Sequence, residues 1–531
     1  MCGCRLSGSA SGDAPRLTAR SCAPWRIVVV AIGCAALSEA ARAEKWTTSA
    51  SVGATETYNH SSGAGQSGGD GFVTSLTAGA GINGEGARLK LRANVSGTEL
   101  FYAGQGQGDT FAPSVNLAAN LEAIERFFFV DAFAVVTQTF ISPFGAQPSN
   151  LATPSNNRYT AQTYDISPYI QGVIAPNTSY SLRDDNIWTR SSTFGDSSAK
   201  PPGTYGNNLT GQTSSSVGLW SWSLDYNRQY YENGITGGAS TLQVARGIVS
   251  YKVDPQVSLS LRGGYEYDKF SQAPTQQGSF YGAGLSWRPA ERTSVDGFWE
   301  HHFYGSEYSA QLTHRLPNVA LSASASQGLS NFPQLAFQIP GGVPLAQLLD
   351  AAFRTRIPDP AERAQAVAQF LAQSGLPPVL PSSLNFYTTQ TTLQQTESLS
   401  AVWVGALNSI GFTVFRTKSE SIVGTLPGLP DALQFAANST QTGCAVNFSH
   451  RLSGFTNLVA GVGYTRTAPN GGDDSGNNAR TSNVNTFVGL STQFTPKTSG
   501  SVGLSYFVAD IAGTNGNSST VSAYASISHT F

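Results

Sequence analysis

Charge is scarce in this sequence. Only 12% of its 531 residues are Asp, Glu, Lys or Arg, about half the roughly 25% of an ordinary soluble domain. A disordered chain would need high charge and few aromatics, and aromatics here reach 11%. Long hydrophobic runs are missing as well. The one uncharged apolar stretch, Ile27 to Leu37, is shorter than the roughly 20 residues that carry a helix across a bilayer. A helical membrane protein is therefore excluded. What remains is abundant in Gly (56), Tyr (20), Ser, Thr and Asn. Low charge with a mean hydropathy of only −0.15 suits a transmembrane β-barrel, where lipid faces half of the side chains and a polar lumen faces the rest.

The first 43 residues read as an export signal. Arg16, Arg20 and Arg26 form a basic start, Ile27 to Leu37 an apolar centre, and Ala41-Arg42-Ala43 a small-x-small cleavage site. A retained short anchor and a lipoprotein signal at Cys34 fit less well, the second because it would shrink the apolar centre. Cleavage after Ala43 leaves a mature chain of Glu44 to Phe531 with Cys444 as its only cysteine. No internal disulfide and no Cys-rich metal site is then possible. Losing five Arg together with Asp13 and Glu39 takes the formal charge from −2 to −5. No basic stripe of the kind nucleic acid requires is present.

Alternation dominates the mature chain. Val257, Leu259, Leu261, Tyr265 and Tyr267 fall on one strand face, with Ser258, Ser260, Arg262 and Glu266 on the other. Leu89 to Val95, Val319 to Ala325, Leu458 to Tyr464, Val484 to Leu490 and Val502 to Val508 repeat the pattern. A soluble sandwich would alternate too. Three features favour the membrane barrel: a polar face of Ser, Thr, Gly and Asn, runs of about ten residues, and aromatic pairs at run ends such as Phe101-Tyr102 and Tyr506-Phe507. Val521 to Phe531 alternates to a terminal aromatic, which resembles the signal by which outer-membrane barrels are inserted by their assembly machinery. The expected fold is all-β, a large antiparallel barrel over 44–531 with roughly 20–22 strands.

Between about Asn331 and Leu384 the alternation stops. Leu345, Leu348, Leu349, Ala352 and Phe353 follow helical spacing up to Pro358. A second helix opens with Asp359 as N-cap, Pro360 in the first turn and Glu362 three residues on. It would bury Val367, Phe370 and Leu371 and stop at Gly375-Leu376-Pro377. Such an insert is a folded loop, a plug or lid in the lumen, or a docking platform; the residues leave all three open.

Several motifs match catalytic or binding signatures without their context. Gly79 to Gly84 satisfies G-x-G-x-x-G, but a strand follows where a dinucleotide site needs a helix, so Asn83-Gly84 reads as a hairpin turn. Gly65 to Gly69 satisfies G-x-S-x-G inside a Ser/Gly-rich loop. Glu300-His301-His302 with His314 suggests a metal, yet adjacent strand residues point to opposite sides. Gly471 to Gly476 reads as an acidic turn before it reads as a Ca²⁺ loop. Arg183 and Asp185 share a strand face, as an inward ion-pair ladder or a selectivity ring. No Ser/His/Asp set assembles itself, so no enzyme, cofactor or metal is expected; an outer-membrane hydrolase is the rival class.

Asn120 to Ala132, Ser142-Pro143-Phe144-Gly145, Tyr164 to Ile170, Ser179 to Arg183, Ile357 to Arg363 and Gly375-Leu376-Pro377 resemble the outer-membrane β-barrel family associated with PEP-CTERM/exosortase systems. The resemblance implies an outer-membrane barrel accompanying exopolysaccharide and protein-sorting loci, with polysaccharide or envelope export proteins as partners. It carries no functional residues. Phe127 to Val136 is apolar on both faces apart from Asp131, which predicts that the insert, through Phe370 and Leu371, packs on this strand at Phe128 and Val130. The expected function is a channel or export component; the alternative is a barrel that scaffolds the envelope without conducting.

Overall fold

A computed structural model describes residues 45–531 apart from 64–68, 105–106, 196–199, 233–237, 272, 333–341, 389, 423–436, 471–479 and 513–516. The export signal, the Gly471 to Gly476 turn and most of the G-x-S-x-G run therefore lie outside the described residues. The wall begins with β1 (Lys45–Ser62), β2 (Gly71–Glu85), β3 (Leu89–Ala103), β4 (Thr110–Ile124), β5 (Phe128–Phe140), β6 (Arg158–Ala175), β7 (Thr178–Thr193) and β8 (Thr204–Val217). It continues through β9 (Trp220–Glu232), β10 (Ala239–Lys252), β11 (Val257–Lys269), β12 (Gln276–Ala290), β13 (Thr293–His302), β14 (Gly305–Leu316) and β15 (Val319–Ser330). The insert holds β16 (Gly342–Pro344), α1 (Leu345–Phe353), α2 (Pro360–Ser374) and β17 (Val379–Pro381). The wall closes with β18 (Thr392–Val404), β19 (Asn408–Ser421), β20 (Ser439–Arg451), β21 (Thr456–Pro469), β22 (Thr481–Thr495), β23 (Thr498–Ile511) and β24 (Ser518–Thr530).

Each wall strand pairs antiparallel with its sequence neighbours, β15 pairs directly with β18, and β24 pairs back onto β1. Twenty-two strands close the sheet, at the upper end of the expected range. No edge is left unpaired, the one arrangement that satisfies every strand backbone in lipid. Most strands run 12–18 residues, longer than the expected ten. About ten residues suffice for the tilted crossing, so the wall extends beyond the bilayer.

The faces are inverted relative to a soluble sandwich. Leu261 is 72% exposed, whereas Glu266 on the alternate face of the same strand is 1% exposed. Leu259, Tyr265, Leu285, Trp299, Leu399, Leu490 and Leu504 are likewise exposed on their strands. Apolar side chains outward and polar ones inward fit lipid outside and a polar lumen inside.

Short connections lie at one end of the barrel, with both termini of the wall, and the longer ones at the other. The sharp turn between β2 and β3 falls at 86–88, where the Gly86 N–H donates to Leu89 O at 2.8 Å, and not at Asn83-Gly84. Gly84 stays in the strand because the Trp46 ring of β1 covers it where a Cβ would sit. The G-x-G-x-x-G run is thus continuous strand.

Candidate functional site

The lumen is the candidate site, and the insert is its largest feature. The chain leaves the wall at Ser330 and rejoins it at Thr392, so the interruption runs past Leu384. Both helices form where the spacing places them. Asp359 accepts from the N–H groups of Ala361 (2.8 Å) and Glu362 (2.9 Å) to cap α2, and Gly375 ends it at φ 69°. Glycine enters that left-handed region without a Cβ penalty.

The helices lie inside the wall. Leu345, Leu348, Leu349 and Ala352 of α1 form a buried cluster with Val367, Leu376, Leu380 and the wall residues Ala320, Val402 and Val404. Val402 is fully buried, whereas its neighbour Trp403 is 37% exposed on the outer face. The helices therefore cover the lumen side. They sit at the short-turn end: Arg356 donates to Asn318 in the β14–β15 turn, Asn457 Nδ2 donates to Gln373 O (2.6 Å), and Ser449 Oγ donates to Ser374 O. The limb after α2 returns to the long-loop end, where Tyr231 OH donates to Thr388 O (3.2 Å).

The strand expected to seat this insert does not. The helices contact β14, β15, β18 and β20, and β5 is the fifth wall strand where β18 is the sixteenth of 22, on the far side of the barrel. Strand parity explains the difference: Phe128 and Val130 alternate with Asp131 and turn outward, opposite the outer-face residue Leu121. Phe370 and Leu371 pack on the insert's own cluster, with Phe353 edge-on to Phe370 at 5.6 Å. The inward Phe129 instead stacks on Tyr169 at 5.0 Å.

Asp131, Arg183 and Asp185 come together on the lumen face. Arg183 pairs with Asp131 through Nη1 and with Asp185 through Nε, both at 2.5 Å, while lying over the Tyr169 ring. Asn120 adds a 2.6 Å donor to Asp131. Each charge has a partner, as in an ion-pair ladder of the wall.

The Glu300-His301-His302 run divides by parity. His301 turns outward against Trp299 and Tyr281, and His314 bonds Thr293 on that outer side. Glu300 and His302 turn inward and are buried. Ligand atoms of Glu300, His302 and Glu307 lie within 4.8 Å of one another, a spacing an ion could use. Yet Arg262 holds one Glu300 oxygen (2.5 Å), and Arg246 (2.6 Å) and His302 Nε2 (3.1 Å) hold the other. His302 Nδ1 faces Glu266 at 2.8 Å. A cation would have to displace two guanidiniums, so the group reads as a closed hydrogen-bond network.

A second inward segment escaped sequence reasoning. Residues 141–157, between β5 and β6, fold across the long-loop end. Asn483 Oδ1 accepts from the Gln147 N–H (3.1 Å) and Asn485 Oδ1 from the Ser149 N–H (3.0 Å), and Asn59 Nδ2 donates to Ala152 O (2.7 Å). Thr481 Oγ1 donates to Phe144 O at 2.5 Å. Arg158 donates to the carbonyls of Pro148 and Asn150, and Ala152 joins the buried cluster of Val73, Leu100, Ala112 and Phe194. The available signal was Pro143, Pro148 and Pro154 in one connection, which stiffens it, together with buried Asn on inward positions of distant strands.

The chain is a closed antiparallel β-barrel of 22 strands with an apolar outer face. No family model matches it, and no curated protein matches it. Among solved structures it is similar to the siderophore receptor PiuA from Acinetobacter baumannii (TM-score 0.44, 8% identity, 90% of this chain and 82% of that one). It is also similar to the FrpB iron transporter from Neisseria meningitidis (0.46, 9%, 90% and 82%) and the ferric-catecholate import receptor Fiu from E. coli K12 (0.46, 9%, 90% and 81%). Likeness at this level carries no argument about ligand; the fold rests on the strand pairing itself.

Proposed function

We propose that the protein is an outer-membrane channel or export component whose lumen is narrowed from within by its own insert. A barrel of 22 strands encloses a wide lumen unless something fills it. The observation that carries the reading is the packing of α1 on Ala320, Val402 and Val404, all on the lumen face. In this reading the signal at 1–43 exports the chain, the short turns face the periplasm, lipid takes the outer belt, and the C-terminal strand ending in Phe531 engages the assembly machinery. The link to exopolysaccharide and PEP-CTERM sorting systems rests on the sequence resemblance, supported by an inner face rich in Ser, Thr and Asn that suits polar chains.

Single-channel conductance in a planar bilayer tests it. Ser330 and Thr392 are paired neighbours, so a short turn can replace residues 331–391 and leave the wall closed. The intact protein should give small or no steps and the deletion several-fold larger ones. Equal large steps would overturn the narrowing. Silence in both, with heat-modifiable gel mobility proving the fold, would overturn conduction and leave a scaffold.

A further inference from the structure

At the short-turn end, α1 and the wall enclose a cleft of about 600 Å³. Four arginines line it, Arg288, Arg292 and Arg315 from the wall and Arg354 from the insert, against the single carboxylate of Glu291. Their charges are poorly matched. Among the described residues Arg292 makes no side-chain hydrogen bond or ion pair, and Arg315 Nη2 donates only to the Glu291 backbone carbonyl (2.6 Å). Arg288 stands 3.8 Å from Asp296 with both side chains well exposed. Arg354 reaches Asp350 at 3.1 Å, but Arg363 already holds that carboxylate at 2.6 Å. Arg315 lies within electrostatic reach of Arg354, Arg292 and Arg363 as like charges.

We propose that this cleft binds a small soluble polyanion carrying two or more phosphate or carboxylate groups. Arg292 and Arg315, which make no carboxylate bond among the described residues, together with Arg288 and Arg354, each paired to one partly exposed carboxylate, present forked donors that match the oxygens of such groups. A one-sign cleft between low-dielectric walls concentrates the opposite charge. Arg288 and Arg315 alternate with the outward Trp287 and Leu316, so the cleft opens to the lumen mouth and away from lipid. The site exists only because the insert is seated, since Arg354 closes it. The inference goes beyond the channel reading and stands without it, because binding is measured in detergent with no current flowing.

The test is calorimetric titration of the purified full chain in neutral detergent with inorganic tripolyphosphate and with citrate, at low and physiological salt. Arg292→Gln and Arg354→Gln should each weaken binding about tenfold, the scale of one lost charge-assisted contact, and salt should weaken the wild type. Arg88→Gln, on the exposed β2–β3 turn, should bind as wild type. Undetectable binding of both probes, or equal affinity in the Arg292 and Arg354 variants, would overturn the proposal. Binding confined to phosphatidylglycerol nanodiscs and lost in the same variants would also overturn it, by making the cleft a lipid site.

Discussion

The two segments that enter the lumen are held by different proportions of apolar and polar contact. At the short-turn end the insert is seated by an apolar face: Leu345, Leu348 and Leu349 against Ala320, Val402 and Val404. At the long-loop end, 141–157 is clipped by side-chain hydrogen bonds from Asn59, Thr481, Asn483 and Asn485. Burial of a leucine side chain contributes about 1.5–3 kcal/mol and does not depend on orientation. A single hydrogen bond contributes about 0.5–1.5 kcal/mol net and can be exchanged for water. On these magnitudes the loop is expected to be displaced at lower cost than the insert.

Breaking the apolar seat should have the largest effect. Leu349→Asp places a carboxylate in a fully buried apolar cluster, at a cost of several kcal/mol. The wall should still close, because its strand pairing does not pass through Leu349. The expected result is conductance approaching that of the 331–391 deletion, with unchanged heat-modifiable mobility. Conductance equal to wild type would mean that the limbs, and not the helix face, hold the insert.

Releasing the polar clip should do less. Asn483→Ala with Asn485→Ala removes two acceptors for the loop backbone and should cost about 1–3 kcal/mol in loop position. Proteolysis within 141–157 should accelerate several-fold in the folded protein, and brief openings should become more frequent without larger steps. Unchanged proteolysis would show that the Ala152 contact with Val73, Leu100 and Ala112 holds the loop by itself.

The same contrast explains what the sequence could tell. Strands were legible because a lipid-facing side chain must be apolar at every second position. Along β11, Val257, Leu259, Leu261, Tyr265 and Tyr267 keep one face while Ser258, Ser260, Arg262 and Glu266 keep the other. Helices α1 and α2 were legible because an apolar seat imposes a 3.6-residue spacing and Asp359 and Gly375 mark the ends of α2. The partner strand of the insert was not legible. Apolar residues on both faces of β5 predicted a covered strand, but Phe129 finds its cover in Tyr169, one strand away. Nor could the sequence pair Asn483 with the Gln147 backbone, since a hydrogen bond between distant segments leaves no periodic trace. The arginine cleft gathers four side chains from the β12–β13 turn region, β14 and α1, a convergence that only closure of the barrel produces.

The smallest effect lies within the insert, where one ion pair crosses between the helices. Burial raises the Asp350 carboxyl, but hydrogen bonds from Arg363 and Arg354 outweigh it and hold the group below its ordinary value. A carboxyl depressed in the folded state contributes stability above its unfolded value, near about 3.9. That contribution is lost as pH falls through the lower, folded value. Acidification below the ordinary aspartate range should therefore loosen the α1–α2 tie while the apolar seat persists. Hydrogen exchange of the α2 amides reports this directly, with protection falling at acid pH in the wild type. Asp350→Asn should show the lower protection at neutral pH and lose that acid-dependent step. If wild type and Asp350→Asn show the same pH profile, the pair is a surface contact that holds nothing, and the helices are joined by apolar contacts such as Val367 in the α1 cluster and Phe353 on Phe370.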